Sequence, residues 1–471
     1  MRNRSPLLAA FLSVAAAAAA AAEVPVGVAK VDVTPTHPVV LTGYGSRTTE
    51  FEAVDAPIQA RAMAIGDDPA VVVAIDVCGV PASFVAEARR RVAASGAFDP
   101  ARLVVAATHN HSGPDVEGFA PILWGGRYTP EQEKHVKEYS EWLIGKVVEV
   151  ATAAVRDRKP AELSWGQGRA GFGGNRRLMI DGVWKGFAFA EKAPVDHSLP
   201  AMFARRDGKL IGVWANYACH CTSGGTVNRI HGDWAGFAAS EIERDAPGAT
   251  AVITVGCGAD VGPQPTGGIE FSRRHGRAFA DAVADLARKP NAPLAAGPEL
   301  VKTAVELPLA SVPDRAHWEK EAKRDDFEGR HARLMLKRLD RDGALSPTVP
   351  YAIEAWRFGD DLAILFLPGE VTVDYAVRIK SESDWPRLWI NAYSNGVPGY
   401  IPSRRVLAEG GYEPDFSQIY YAHPSRYAPE VEDVLVSAAE SLLGDAFRKT
   451  DATPEPDFFT VPEASIPSMR Q

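Results

Sequence analysis

Short apolar runs alternate with amphipathic stretches along much of this 471-residue chain. Residues 70–77 (AVVVAIDV), 103–107, 210–217, 249–255, 362–367 and 388–392 read as strands with little polar interruption. A strand that is apolar on both faces needs a layer on each side, which predicts buried sheet. Residues 81–95, 234–244 and 371–379 fall between these runs and carry apolar positions at helical spacing. Strand, helix and strand, repeated three times, predict an α/β fold: layered sheets of largely parallel strands flanked by helices. Two stretches break the pattern. Residues 161–182 are Gly-rich and read as a loop excursion. Residues 314–342 mix dense charge with Trp318, Phe327, Leu334 and Leu339, and read as an exposed helical segment interrupted near Gly329.

The two ends differ from the body. Arg2 and Arg4 precede an alanine-dominated apolar run over 7–22, and Ala20-Ala21-Ala22 supplies small residues before Glu23. That is the pattern of a signal peptide, and the run is shorter than the roughly 20 residues that a bilayer span needs. The expected organisation is a signal peptide over 1–22, one catalytic domain over 23–447 and a Pro-rich tail with little structure over 448–471. Export follows, cleavage falling near Glu23, to the periplasm or beyond it. The net charge of −9 and the absence of a basic block exclude nucleic acid as the partner. Cys78, Cys219, Cys221 and Cys257 form neither a C-x-x-C zinc pattern nor a readable disulfide framework. Cys219 and Cys221 alternate with His220, so on an extended chain they face away from it and pack.

Reactive side chains collect where the predicted strands end. His109 and His111, in Thr108-His109-Asn110-His111-Ser112-Gly113-Pro114, follow the run 103–107. Histidines two apart lie on one side of an extended chain, although a solvated pair is the plain alternative. His220 follows 210–217, Asp260 follows 249–255 within Gly256-Cys257-Gly258-Ala259-Asp260, and Glu370 follows 362–367. A Tyr- and Gly-rich loop after 388–392 reaches Tyr400 and Tyr412. Two or three histidines with one glutamate at the rim of an α/β sheet form the ligand set of a catalytic Zn²⁺ site. Calcium and magnesium want oxygen ligands instead.

At these residues the chain resembles the N-terminal catalytic domain of the neutral/alkaline non-lysosomal ceramidases. The family's Thr-His-Thr-His-Ser-Gly-Pro is similar to residues 108–114, and its His-Pro-Thr-Ser and Gly-Asp segments to His220-Cys221-Thr222-Ser223 and Gly232-Asp233. Its Gly-Glu falls on Gly369-Glu370, and its pair of tyrosines on Tyr400 and Tyr412. Val31-Asp32-Val33-Thr34-Pro35 and Leu41-Thr42-Gly43-Tyr44 also look familial, so the resemblance runs from residue 26 to 438. It implies that His109, His220, Glu370 and Tyr400 bind zinc, and that His111, Arg176 and Tyr412 contact the substrate amide or its oxyanion. It departs from the family where Gly-Asp-Val-Ser-Pro reads Ala259-Asp260-Val261-Gly262-Pro263, with glycine in the serine position. It also ends where ceramidases generally continue into a β-sandwich domain.

The expected function is an exported zinc-dependent hydrolase that cleaves a linear N-acyl amide by metal-activated water, as in sphingolipid metabolism. Asp260 is then the candidate base. A small-molecule or lipid N-acyl substrate and a peripheral membrane contact fit this reading. A zinc esterase or deacetylase acting on a glycan or small acyl substrate, and an inactive binding homologue, stay open beside it.

Overall fold

Strands apolar at every position became strands buried at every position. The computed structural model describes residues 22–458, and in it Ala70–Ile75, Leu103–Ala107, Thr250–Val255 and Leu362–Phe366 are wholly buried. Two sheets account for this. The larger has nine strands: β1 (Glu23–Asp32), β2 (Gln59–Ile65), β3 (Ala70–Ile75), β4 (Leu103–Ala107), β5 (Lys159–Arg169), β6 (Ser198–Arg206), β7 (Lys209–Tyr217), β8 (Thr250–Val255) and β9 (Ala292–Leu294). Their order is β8-β7-β6-β5-β1-β2-β3-β4, with β9 also on β5. The smaller runs β10 (Glu299–Pro308), β11 (Thr348–Phe358), β12 (Leu362–Phe366) and β13 (Leu388–Asn391) in that order.

The sheets pack face to face. Val72, Val104, Trp214 and Val252 from one meet Trp356, Ile364, Phe366 and Trp389 from the other. The alternate residues, Val71, Val73, Ala363 and Leu365 among them, join the core under the helices. Helices α1 (Ala82–Ser95), α2 (Pro130–Asp157), α3 (Asp233–Asp245) and α4 (Ile269–Ala287) serve the larger sheet, and α5 (Val373–Glu382) and α6 (Val431–Leu443) the smaller.

The layered α/β arrangement matches expectation, but the strand directions do not. Within these two sheets, parallel pairing is confined to β3–β4, β7–β8 and β12–β13, the three units read from the sequence. The other ladders in both sheets are antiparallel, so the fold is mixed rather than largely parallel. A helical crossover returns the chain to the same direction, whereas the short turns at 66–69, 207–208 and 359–361 reverse it.

The supposed loop over 161–182 is corrected too. Lys159–Arg169 is a long internal strand whose Ala161, Leu163 and Trp165 point into the inter-sheet core. Its glycines masked an alternating pattern, because pairing on both sides outweighs their weak strand preference. The charged segment is two helices, Arg315–Glu321 and Phe327–Asp342. The break precedes Gly329, whose N–H is capped by Asp326, and Trp318, Ala332 and Met335 pack a small core there. Past Phe447 the described residues form one bridge, Arg448 with Ser383, and then turns. Even so, Trp385 donates to the Pro454 carbonyl at 2.5 Å and Val195 to that of Phe458 at 2.8 Å. The expected signal peptide, apart from Ala22, lies outside the described residues.

A buried polar pin joins the sheets at one end. Asn216 of β7 and Thr254 of β8 both donate to the Asn391 side-chain oxygen of β13, at 2.8 and 2.7 Å. A fully satisfied buried network fixes one relative placement of the strands it joins. Beyond it, Ala392 donates to Val255, and Ala107 to Tyr393. The strand ends that carry the reactive residues thus meet at one seam.

Candidate metal centre

His109, His220 and Glu370 each follow the C-terminal end of a strand that belongs to a parallel pair. His109 follows β4 and His220 follows β7. Glu370 lies beyond β12, in a short parallel bridge that sets it opposite Tyr400. Gly369 makes that approach possible: its φ is +87°, and a Cβ there would sit 2.7 Å from the Gly399 carbonyl. His109 is not on extended chain as expected. Its φ is +57°, a left-handed turn, and yet its ring still meets that of His111, with centroids 4.7 Å apart.

His109, His220 and Glu370 are all buried, and their ligand atoms lie within 4.8 Å of one another. Glu370 Oε2 is 3.1 Å from His109 Nε2 and 3.4 Å from His220 Nε2. The outer ring nitrogens fix the tautomers. Nδ1–H of His109 donates to the Cys78 carbonyl at 2.8 Å, and Nδ1–H of His220 to that of Gly258 at 2.6 Å. Both Nε2 atoms are thereby turned inward, an orientation typical of metal-binding histidines. His220 Nε2 and Glu370 Oε2 have no hydrogen-bond partner. Burial pushes the His220 pKa down to about 3, with Arg176 and His109 adding to the effect, so it stays neutral. Burial opposes charge on Glu370 as well, but the two imidazoles hold its carboxyl well below the usual carboxylate range. At His109 burial opposes charge, yet Cys78 and Glu370 outweigh it and raise the pKa to about 10. A buried carboxylate between two inward imidazole nitrogens favours a positive charge among them, which a proton or a metal ion can supply. Two imidazoles and a carboxylate, all buried, fit zinc.

The other expected residues divide. His111 joins the cluster, its Nε2 lying 3.0 Å from His109 Nε2 and its buried Nδ1 unpartnered. Gly43 leaves space for that ring: its φ is +95°, and a Cβ would fall 2.4 Å from His111. Arg176 donates to the Tyr400 hydroxyl at 3.2 Å, and Tyr412 meets the Tyr400 ring at 5.5 Å. Asp260 stands apart from the triad, without a hydrogen bond to it. Its Oδ1 accepts from the Val373 N–H at 2.8 Å, and its Oδ2 from Asn175 at 3.0 Å and Arg405 at 3.3 Å. Burial, then Asp374, raise its pKa to about 6. It clamps the strand carrying Arg176 to the helix that begins just after Glu370. Gly262 adjoins Arg176, where a Cβ would meet nothing closer than the Arg176 Cδ at 4.0 Å.

Three contributors were not read from the sequence. Tyr421 donates its hydroxyl to Glu370 Oε1 at 2.6 Å, Tyr393 stacks on His109 with centroids 4.5 Å apart, and the Cys78 thiol lies 3.7 Å from His109 Nδ1. None belongs to a spacing motif, and only folding brings them in. All four cysteines are free and buried, and Cys219 and Cys221 pack in the core as expected.

Residues 25–256 match the family model for the N-terminal part of neutral/alkaline non-lysosomal ceramidase. The neutral ceramidase of Pseudomonas aeruginosa shares the fold with a TM-score of 0.66 at 19% identity, over 93% of this chain and 77% of that one. A ceramidase complexed with C2 matches at 0.66 and 17% identity, over 94% and 78%. No curated protein sequence matches the chain significantly. By this match residues 25–256 belong to the neutral/alkaline non-lysosomal ceramidase family, and the described chain shares the fold of the two ceramidases.

Proposed function

We propose that the protein is an exported zinc-dependent hydrolase that cleaves an N-acyl amide bond in a lipid or small-molecule substrate. One observation carries this reading: two inward Nε2 atoms and a carboxylate oxygen converge in a buried site, their tautomers locked by backbone carbonyls. His109, His220 and Glu370 would hold the ion, with Tyr400 opposite Glu370 in register as the fourth candidate ligand. Bound zinc would polarise the scissile carbonyl and bring the pKa of water to about 7. Arg176, with its fixed charge, and Tyr412 would face the negative charge that builds on the carbonyl oxygen. His111 Nδ1, buried and unpartnered, offers a place for the proton. Asp260, whose oxygens are already engaged, serves best as a positioning residue. Gly262 provides no nucleophile, so water is the attacking group. The shared fold with a ceramidase complexed with C2 supports an N-acyl lipid as the substrate class.

The test is metal content with turnover. Purified protein should carry about one zinc per chain. It should hydrolyse an N-acyl substrate in a screen of N-acyl lipids, N-acyl amino acids and acetylated sugars, lose activity to a chelator and regain it with zinc. His220→Ala should abolish zinc binding and turnover together. A His220→Ala protein that kept both would make this a core histidine and overturn the reading.

A further inference from the structure

Among the described residues, eight large hydrophobic side chains stand exposed, and five of them, Ile180, Val183, Phe187, Phe189 and Phe416, each about half exposed (47–54%), belong to one hairpin, the residues after it and the turn beside it. The first four belong to the hairpin Arg177–Ile180/Val183–Phe187 and the residues just after it. Phe416 closes the turn Tyr412–Phe416 opposite, its ring 6.3 Å from that of Trp184. Exposed apolar patches of this kind mark surfaces that are covered in use.

The patch is continuous with the metal centre. The hairpin hangs from the Arg176 strand, since Ala188 donates to the Arg176 carbonyl and Ala190 to that of Asn175. The Phe187 ring lies under the Arg176 guanidinium at 4.9 Å and against the Tyr412 ring at 5.1 Å. A register shift within the hairpin puts Phe187 on the same face as Trp184, toward Tyr412 and Phe416, while Val183 pairs with Ile180 at the tip and Lys185 stands exposed between them. Apolar chains beside a lysine that can lift its ammonium suit an interface between hydrocarbon and water. The exposed charges nearby, Asp181, Lys185, Glu191 and Lys192, balance, which selects no anionic partner.

We propose that this hairpin and the Phe416 turn dock the protein on a neutral lipid–water interface, so that an N-acyl lipid passes from the aggregate to Arg176 and Tyr412 without crossing bulk water. The inference rests on the N-acyl lipid reading of the site, but docking itself requires no turnover. Sedimentation with phosphatidylcholine vesicles tests it. The wild-type protein should bind vesicles with little dependence on salt or added anionic lipid. The double variant Ile180→Ser/Val183→Ser should bind roughly tenfold or more weakly, since two apolar side chains leave the interface. It should keep its zinc, its melting temperature and its turnover of a short-chain, water-soluble N-acyl amine, and lose turnover of the same headgroup presented in vesicles. Equal vesicle binding by wild type and variant, or none by wild type, overturns the proposal. So does a wild-type dimer that the double variant breaks, because the patch would then cover a second copy. Absence of turnover on every amide, with vesicle binding intact, fails the catalytic reading and leaves docking standing.

Discussion

Arg176 touches both the ligand triad's neighbour Tyr400 and the exposed hairpin, but the two regions on either side of it are built differently. On the inner side every candidate ligand of the triad is buried and held by several partners. His109 is held by Cys78 and Tyr393, His220 by Gly258, and Glu370 by Tyr421 and its register with Tyr400. On the outer side a two-stranded hairpin exposes large apolar side chains. A two-stranded ribbon is marginal by itself in water. Chemistry needs groups fixed to a fraction of an ångström, whereas capturing an apolar substrate needs surface that is still uncovered. The clamp at Asp260 connects the two regions by holding the Arg176 strand to the segment after Glu370.

Breaking that clamp should have the largest effect of three changes. Asp260→Asn should leave zinc bound but lower turnover roughly tenfold and raise KM, because Arg176 loses its anchorage. A fall of about 10³-fold or more at unchanged KM would instead make Asp260 the general base. Tyr421→Phe sharpens the inner side: Glu370 loses the hydroxyl that donates to Oε1, so zinc affinity should drop about tenfold by metal-buffer titration, with the fold intact. Unchanged affinity would mean that strand register alone orients Glu370.

The smallest effect lies in the motif loop, on stability. Burial raises the Asp115 pKa to about 7, against the hydrogen bonds from Tyr128 and Val116. A carboxyl raised in the folded state contributes stability below its unfolded pKa and loses it as pH rises through about 7. Asp115→Asn should therefore be stabilised relative to wild type more at pH 8 than at pH 5, by about 1–3 kcal/mol in denaturant titrations. An equal difference at both pH values would contradict the buried, protonated carboxyl.

Much of this protein was legible because local pattern and tertiary need agreed. The runs 103–107 and 362–367 read as buried strands, and their ends alone place His109 and Glu370 on the rim. His220 followed by the same logic. Asp260 was read as a base because it too follows a strand, and a strand end cannot say which way a carboxylate turns. In the folded protein the free N–H of Val373 and the amide of Asn175 claim it. Strand 159–169 was lost among its glycines, since alternation is weak where side chains are missing.

The sequence by itself determined the layered α/β character, the three helical crossovers and the residues that converge as candidate ligands, because periodicity and strand-end chemistry are written in neighbouring residues. Only the tertiary structure decided that most strands run antiparallel, that Tyr421, Tyr393 and Cys78 complete the centre, and that the apolar hairpin stands beside it. Those depend on pairs far apart in the chain, Glu370 with Tyr421 or Arg176 with Tyr400, which meet only when two sheets are pinned at one seam by Asn216, Thr254 and Asn391.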